Sequence, residues 1–156
     1  MRITILSANN RIPDWVERGS SEYLSRMPAD IHINFVDKPL VKRGKSQSVA
    51  RIRAQETQRL LDAVPSGDYL VALDEAGRSQ STAAVASAMQ RWQMEGHNIC
   101  ILIGGPDGID FSVCQPREKW SLSALTFPHP LVRVIVAEQL YRAWSVTVGH
   151  PYHRAS

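Results

Sequence analysis

Ile99-Cys100-Ile101-Leu102-Ile103 runs directly into Gly104-Gly105-Pro106-Asp107-Gly108, and this stretch decides the fold. Five consecutive apolar residues that end at a turn are typical of a strand buried on both faces. Glycines in the turn allow a ligand to approach the backbone closely. A simple chain reversal explains the turn equally well, because it matches neither G-x-G-x-x-G nor a phosphate-binding loop with its lysine.

The rest of the chain alternates between strand patterns and helix patterns. We predict strands over 2–8, 31–35, 69–73, 99–103 and 121–125. We predict helices over 13–26, 49–63, 82–94 and 131–144, and a helix or turn over 111–119. This order favours an α/β fold with a mostly parallel sheet and helices on both faces. Trp15 and Tyr23 are expected to pack in its core.

Length and composition indicate one ordinary domain. A chain of 156 residues can bury roughly 70% of its unfolded surface, so it needs no disulfide or structural metal. Its two cysteines form no C-x-x-C motif, and its five histidines have no zinc spacing. Cys100, inside the apolar run, is expected to pack as a small hydrophobe. No apolar run approaches the length of a membrane span, and the first strand is too short for a signal peptide. We therefore predict a cytoplasmic protein without a membrane segment.

The charge distribution says more than the net charge of +3. Six basic residues and no acidic residue fall between Lys38 and Arg53. Such a cluster is typical of a polyanion-binding surface. A solvated loop and helix face would have the same composition, and the charges alone favour neither interpretation.

Three predicted strand ends carry the best candidates for a ligand site. They are Leu73-Asp74, Gly104-Gly105 and the segment Leu125-Thr126-Phe127-Pro128. Ligands of open α/β sheets bind beyond the carboxyl ends of the strands. We therefore expect these three turns to meet around one site.

The last predicted helix and the tail hold a second group of polar residues. Glu138 and Arg142 are spaced i, i+4, so they share a helix face and can pair. A surface ion pair would show the same spacing. The tail from His150 to Arg154 concentrates a cation, two imidazoles and an aromatic ring, which suit a nucleotide base and its phosphates.

Several long motifs resemble one known family. They are Leu-Ile-Gly-Gly-Pro-Asp-Gly at 102–108, Trp-Ser-Leu-Ser-Ala-Leu-Thr-Phe-Pro-His-Pro-Leu-Val-Arg at 120–133, Glu-Gln-Leu-Tyr-Arg-Ala-Trp-Ser at 138–145, Pro-Asp-Trp-Val at 13–16, Lys-Arg-Gly-Lys at 42–45 and His-Pro-Tyr-His-Arg at 150–154. Together they span essentially the whole chain. The sequence resembles the ribosomal RNA large-subunit methyltransferase H family, of the SPOUT class.

The resemblance implies a fold, a reaction and partners. The fold would be a single SPOUT domain over 1–156, an α/β knot whose C-terminal segment threads through a loop as a trefoil. The reaction would transfer a methyl group from S-adenosylmethionine to N3 of a pseudouridine in 23S rRNA. The substrate would be the free large ribosomal subunit or the assembled ribosome. The protein would act as a homodimer, with the cofactor site near the dimer interface and no metal.

The resemblance also implies roles for individual residues. The cofactor site would use Leu73, Gly105, Ser123, Ala124, Leu125, Thr126, Phe127 and Pro128. RNA contacts are predicted at Lys42, Arg43, Lys45, Tyr152 and Arg154. Candidate catalytic residues are Glu138, Arg142, His129, His153 and Arg154.

These catalytic candidates have different expected tasks. Arg154 and His153, supplied by the partner subunit, would hold the base and its phosphate. Either Glu138 or His129 would accept the proton that leaves N3. The sequence does not rank these two acceptors, and Glu138 has the alternative task of orienting Arg142.

Three other functions fit parts of the sequence. A ribosome-binding or assembly factor would keep the fold and bind RNA without transferring a methyl group. Another SPOUT methyltransferase would act on a ribose 2′-hydroxyl or on tRNA. A nicotinamide-dependent α/β enzyme is disfavoured, because the glycine fingerprint and the acidic residue after the second strand are missing.

Overall fold

The computed structural model describes residues 1–154. Its strands are β1 (Arg2–Ala8), β2 (His32–Lys38), β3 (Tyr69–Ser79), β4 (Ile99–Ile103) and β5 (Glu118–Ser121). Its α-helices are α1 (Asp14–Leu24), α2 (Val49–Asp62), α3 (Thr82–Glu95) and α4 (His129–Val148), followed by a 3₁₀ helix at Pro151–Arg154.

The five strands form one sheet in the order β2-β1-β4-β3-β5. Every neighbouring pair in it is parallel. The α/β prediction is therefore confirmed. The central strand is β4, and all of its residues are buried. This strand is the apolar run Ile99–Ile103, which the sequence predicted to be buried on both faces.

Helices cover both faces of the sheet. On one face Ile3, Ile5 and Ile101 pack with residues of α3 and α4, including Met89, Trp92 and Leu140. On the opposite face Leu6, Cys100 and Leu102 pack with Leu60 of α2. Side chains alternate between the two faces because successive residues of a strand point in opposite directions. Cys100 is fully buried and packs as a small hydrophobe, as expected, and burial raises the pKa of its thiol to about 12.

The segment between β4 and β5 agrees with the prediction in part. Residues 111–113 form a turn, which is one of the two predicted alternatives, whereas β5 begins at Glu118 instead of 121. The Asp110 carboxylate accepts hydrogen bonds from the backbone N–H and the hydroxyl of Ser112, at 2.9 and 2.6 Å. Such a turn competes with helix formation, and Pro116 disfavours helical backbone in the residue before it.

The predicted burial of Trp15 is wrong. Its side chain is 50% exposed, whereas the adjacent Val16 is fully buried. Consecutive residues of a helix point in directions about 100° apart, so a narrow buried stripe accommodates only one of the two. Tyr23, on the same helix, is half-buried.

The described residues contain neither a membrane-spanning helix nor a group of metal-binding side chains. None of the helices within residues 1–154 has the length and apolar character needed to cross a membrane. Across the same residues no three His, Cys, Asp or Glu side chains are grouped to hold a metal ion.

Candidate functional site

A cavity of about 350 Å³ opens at the carboxyl edge of β3, β4 and β5. Three segments form most of its wall, namely 73–75 after the paired part of β3, 103–108 after β4, and 120–129 after β5. These segments contain the three strand ends that the sequence indicated. We call this space the rim cavity.

The first segment is a break in the pairing of β3. The register between β3 and β5 shifts between Leu73 and Arg78. The intervening residues bulge, so that Asp74 and Glu75 line the rim cavity. A Cβ on Gly77 would lie 2.8 Å from the Lys119 backbone, so this close return to β5 requires glycine.

The second segment is the glycine turn after β4. The Gly108 N–H donates to the Gly105 carbonyl at 3.0 Å, and Gly108 has a φ of +81°. A Cβ on Gly104 would lie 2.8 Å from the Gly108 carbonyl carbon, and one on Gly105 would lie 2.7 Å from Glu56 Oε1. The turn therefore needs these glycines, and Gly105 lines the rim cavity with backbone alone.

Buried Glu56 and its partners hold the glycine turn in place. The Val41 N–H donates to Glu56 Oε2 at 2.9 Å. Arg43 Nη1 donates to the same oxygen at 3.2 Å, while Arg43 Nη2 donates to Asp107 Oδ2 at 2.8 Å. The hydrogen bond to Asp107, supported by Glu56, raises the pKa of Arg43. We call Arg43, Glu56 and Asp107 the Arg43 clamp. It ties the basic segment 38–53 to the rim of the cavity.

Alternate residues of the third segment line the rim cavity. Ser123, Leu125 and Phe127 line it, whereas Ala124, Thr126 and Pro128 do not. The Leu125 side chain is also 69% exposed, so it lies at the open edge of the cavity. The Leu125 N–H donates to Ser123 Oγ at 3.0 Å, which fixes the start of the segment. Five of the eight predicted cofactor residues therefore lie on one cavity wall, namely Leu73, Gly105, Ser123, Leu125 and Phe127.

His129 is the predicted catalytic residue that lines the rim cavity. It is the first residue of α4 and is half-buried. Burial lowers the pKa of its imidazole, and a hydrogen bond to the backbone of Gly105 offsets part of that shift. The imidazole is therefore neutral at pH 7 and able to accept a proton.

The other predicted catalytic residues form a separate cluster at the far end of α4. Arg142 Nε donates to Glu138 Oε1 at 2.7 Å, which confirms the pairing predicted from their spacing. Tyr152 donates its hydroxyl to the same oxygen at 3.1 Å. Burial, and then the Glu138 charge, raises the pKa of Tyr152 to about 12. Glu138 lies roughly 13 Å along the helix from His129, at about 1.5 Å per residue.

The tail is docked against α4. Gly149 ends the helix with a φ of +71°, which turns the chain back. The Tyr152 ring then packs on Tyr141 at 4.6 Å, and the Arg142 guanidinium lies 4.9 Å from the Tyr152 ring centroid. Arg142, His153 and Arg154 do not line the rim cavity of their own chain.

The predicted RNA contacts fall into three places. Lys42 and Lys45 are exposed on the loop before α2. Arg43 belongs to the clamp and is held by two carboxylates. Tyr152 and exposed Arg154 lie on the 3₁₀ helix.

The cavity wall also contains residues to which the sequence assigned no role. Among them are Glu75 and Val132, while Asp74 belongs to a predicted strand end but was not among the predicted cofactor residues. Glu75 follows that strand end directly, so the rule that ligands bind at the carboxyl ends of strands could have predicted its position. Val132 gives no comparable signal, because an apolar residue in the first turns of a helix is usually core.

Comparisons with known proteins agree over the full length. The family model described as "Predicted SPOUT methyltransferase" matches residues 1–153. The protein named "Ribosomal RNA large subunit methyltransferase H" from Hahella chejuensis (strain KCTC 2396) is 45% identical over an alignment of 156 positions that covers 99% of each chain. The chain therefore belongs to the SPOUT methyltransferase family.

Proposed function

We propose that this protein methylates N3 of a pseudouridine in 23S rRNA, with S-adenosylmethionine as the methyl donor. Membership of a methyltransferase family and the printed name of the Hahella relative support an rRNA substrate. The observation that carries the proposal is the rim cavity, since its three wall segments coincide with the segments predicted for the donor.

The residues of the rim cavity fit such a donor. Its volume of about 350 Å³ lies in the range of small-molecule pockets. Leu73, Leu125 and Phe127 offer apolar walls to a flat adenine ring, and Gly105 lets that ring approach the backbone. The carboxylates of Asp74 and Glu75 suit ribose hydroxyls and positive charge.

S-Adenosylmethionine supplies an electrophilic methyl group on a positively charged sulfur. Because the reaction is an in-line displacement, the main work of the protein is to position the two partners and exclude water. The glycine turn and the 123–127 segment hold the donor. A neutral acceptor near the target atom takes the N3 proton.

We assign the proton acceptor to His129 rather than Glu138. Within one chain His129 lines the rim cavity, whereas Glu138 is engaged with Arg142 and Tyr152. Glu138 then positions Arg142 and Tyr152, and through them the tail.

We place the tail of a second subunit beside the rim cavity. In a homodimer, Arg154 and His153 of one chain would hold the base and its phosphate at the cavity of the other. Exposed Lys42 and Lys45 would contact the rRNA backbone. Nothing in this arrangement requires a metal.

The test is methyl transfer from labelled S-adenosylmethionine. The purified protein is incubated with large subunits and with assembled ribosomes that lack the modification, and the nucleosides are separated by mass spectrometry. We expect one N3-methylated pseudouridine in 23S rRNA. Binding without transfer would indicate an assembly factor, and a 2′-O-methylated nucleoside or labelled tRNA would indicate a different SPOUT reaction. Each of these results would contradict the proposal.

A further inference from the structure

A second cavity of about 290 Å³ adjoins the rim cavity. It lies between the end of β1 and the first turn of α4, and Pro106 and His129 line both cavities. We call it the β1-end cavity. None of the roles assigned above uses it, although it shares the proposed proton acceptor with the rim cavity.

Three side chains that line the β1-end cavity carry buried polar atoms without a hydrogen-bond partner in the described part of the chain. These atoms are Asn9 Oδ1, His129 Nδ1 and Arg133 Nε. The Arg133 side chain is only 10% exposed. Buried polar groups are normally paired, so three such atoms around one cavity point to a polar ligand.

The surrounding contacts fix what each group can offer. Arg133 Nη1 donates to Asp37 Oδ1 at 2.5 Å, which leaves its Nε–H as a spare donor. Asn9 Nδ2 donates to the same Asp37 oxygen at 2.8 Å and to Ser7 Oγ at 3.1 Å. The amide of Asn9 is therefore oriented, and its Oδ1 remains as an acceptor.

His129 offers a second acceptor. Its hydrogen bond to the Gly105 backbone raises its pKa, as a bond donated to a carbonyl does. Nδ1 has no hydrogen-bond partner in the described part of the chain. In the neutral tautomer that carries its hydrogen on Nε2, the Nδ1 lone pair is therefore an available acceptor on a residue that lines the β1-end cavity.

One donor and two acceptors match a uracil-type ring. Such a ring presents carbonyl oxygens on either side of N3–H, and pseudouridine has a further ring N–H at N1. Leu40, Pro106 and Pro130 give the cavity apolar surface for the faces of a ring. A phosphate fits less well, because Asn9 Oδ1 and the Asp37 carboxylate would repel it.

We propose that the β1-end cavity holds the acceptor pyrimidine ring of the RNA, with N3–H directed at His129 Nδ1, a ring carbonyl at Arg133 Nε and N1–H at Asn9 Oδ1. This inference rests on the proposed function and adds the location of the acceptor. The N3 proton moves to His129 Nδ1 before the transfer, and the N3 lone pair of the resulting ring anion then turns from His129 to the methyl carbon. As N3 bonds to that carbon, the carbon–sulfur bond breaks, and the electron pair of that bond stays on sulfur as a neutral thioether.

Photocrosslinking tests the location directly. Ribosomes are assembled with 23S rRNA that carries 4-thiouridine at the acceptor position, mixed with the protein and S-adenosylhomocysteine, and irradiated. We expect the crosslinked peptides to contain residues 7–12 or 129–133. Crosslinks confined to other peptides, such as the tail at 150–154, would overturn the inference.

A pair of variants tests the contacts by rate. Asn9→Leu keeps the side-chain size and removes the acceptor oxygen together with the bonds from Nδ2 to Asp37 and Ser7. It should lower the single-turnover methylation rate about tenfold or more. Affinity for S-adenosylmethionine should not change. Asn98→Leu is the matched control, because the Asn98 side chain accepts a bond from the Arg2 N–H at the opposite end of β1. It should methylate at the wild-type rate.

Different results would contradict the proposed function and the acceptor pocket in the β1-end cavity. If wild-type protein transfers no methyl group to 23S rRNA, the proposed function falls. If wild type is active and Asn9→Leu is equally active, the proposed function stands and the acceptor pocket is refuted.

Discussion

The imidazole of His129 is positioned by two features of its surroundings. It is the first residue of α4, and it lies against the backbone of Gly105. Burial is the main cause of its lowered pKa. Proton acceptance requires the neutral form, so a lowered pKa extends the active range to more acidic solution.

We predict a specific pH profile for methyl transfer. The rate should fall in acidic solution as His129 becomes protonated, and the midpoint of that fall should lie below the ordinary histidine value of 6.5 because burial lowers the pKa. His129→Gln should lower the rate by about 10²–10⁴-fold and remove that acidic fall. Single-turnover rates from pH 5 to 8 measure both effects. A fall that persists in His129→Gln would assign the proton acceptor to another residue.

A substitution at Gly105 tests whether the glycine turn contributes to donor binding. An added Cβ would meet Glu56 Oε1 at 2.7 Å and Leu40 at 3.1 Å. Overpacking of this kind costs about 1–3 kcal/mol, so Gly105→Ala should bind S-adenosylmethionine about 10–100-fold more weakly.

Gly44→Ala is the control for that change, because nothing lies within 4 Å of a Cβ at that position. Calorimetry on both variants gives the comparison. Equal affinity in Gly105→Ala and wild type would mean that the turn does not contact the donor.

The sequence predicted which turns form the rim cavity. It predicted only some of the side chains that line the cavity. Leu73, Gly105 and Phe127 were expected at the cavity and line it. The orientation of the 123–128 segment depends on the bond from the Leu125 N–H to Ser123 Oγ and on how the segment enters α4. Irregular backbone has no hydrophobic period, so pattern analysis could not separate Ser123 and Leu125 from Ala124 and Thr126.

At the scale of elements, the basic segment has two parts with different tasks. Lys42 and Lys45 are exposed, whereas Arg43 links Glu56 of α2 to Asp107 of the glycine turn. Removal of a partner from a buried carboxylate is costly. Arg43 therefore couples the basic loop to the glycine turn that lines the rim cavity.

We predict that removing these charges affects rRNA binding and donor binding differently in the two parts of the segment. Lys42→Gln with Lys45→Gln should reduce the salt dependence of rRNA binding by about one unit of slope per lost phosphate contact, without changing donor affinity. Arg43→Gln should weaken donor binding as well. Filter binding at several salt concentrations and calorimetry measure the two quantities. Unchanged donor affinity in Arg43→Gln would show that the clamp does not position the turn.

The docked tail is a second element with a measurable contribution. Tyr152 donates to Glu138 and packs on Tyr141. Tyr152→Phe keeps the ring and loses the hydroxyl, so it should lower the free energy of unfolding by about 0.5–1.5 kcal/mol. Urea denaturation measures this. S-Adenosylmethionine affinity should be unaffected, and a large loss of it would show that the hydroxyl of Tyr152 contributes to donor binding.

The strands were predictable because their apolar runs are short and end at clear turns. β1 and β4 have the predicted bounds. β5 was misplaced by three residues, since the apolar residues of 120–125 suggested a later strand. Because the turn at Asp110 and Pro116 both disfavour a helix, the chain is already extended at Glu118, where β5 begins. β3 runs on to Ser79 because Gly77 lets it pair again with β5, a contact between segments that local sequence does not encode.

At the scale of the whole molecule, the proposed proton acceptor and the cationic tail lie in different places on one chain. His129 is at the rim cavity, and Arg154 follows the far end of α4. The proposed homodimer would bring the tail of one subunit to the rim cavity of the other. The threaded C-terminal segment implied by the family resemblance stays a prediction.

Mixing two inactive variants tests the shared site. Each of His129→Gln and Arg154→Ala should be strongly impaired as a homodimer. Dimers that contain one subunit of each have one intact composite site, so mixtures should recover up to about a quarter of the wild-type rate after subunit exchange. No recovery in verified mixed dimers would mean that both residues act within one chain.

We propose that three turns at the carboxyl edge of the sheet bind the methyl donor. Hydrogen exchange of backbone amides, measured with and without S-adenosylmethionine, shows whether they do. We expect slower exchange in peptides that cover 73–76, 103–108 and 121–129, with little change in β2. Unchanged exchange in these peptides at saturating donor, or slowing confined to other parts of the chain, would contradict it.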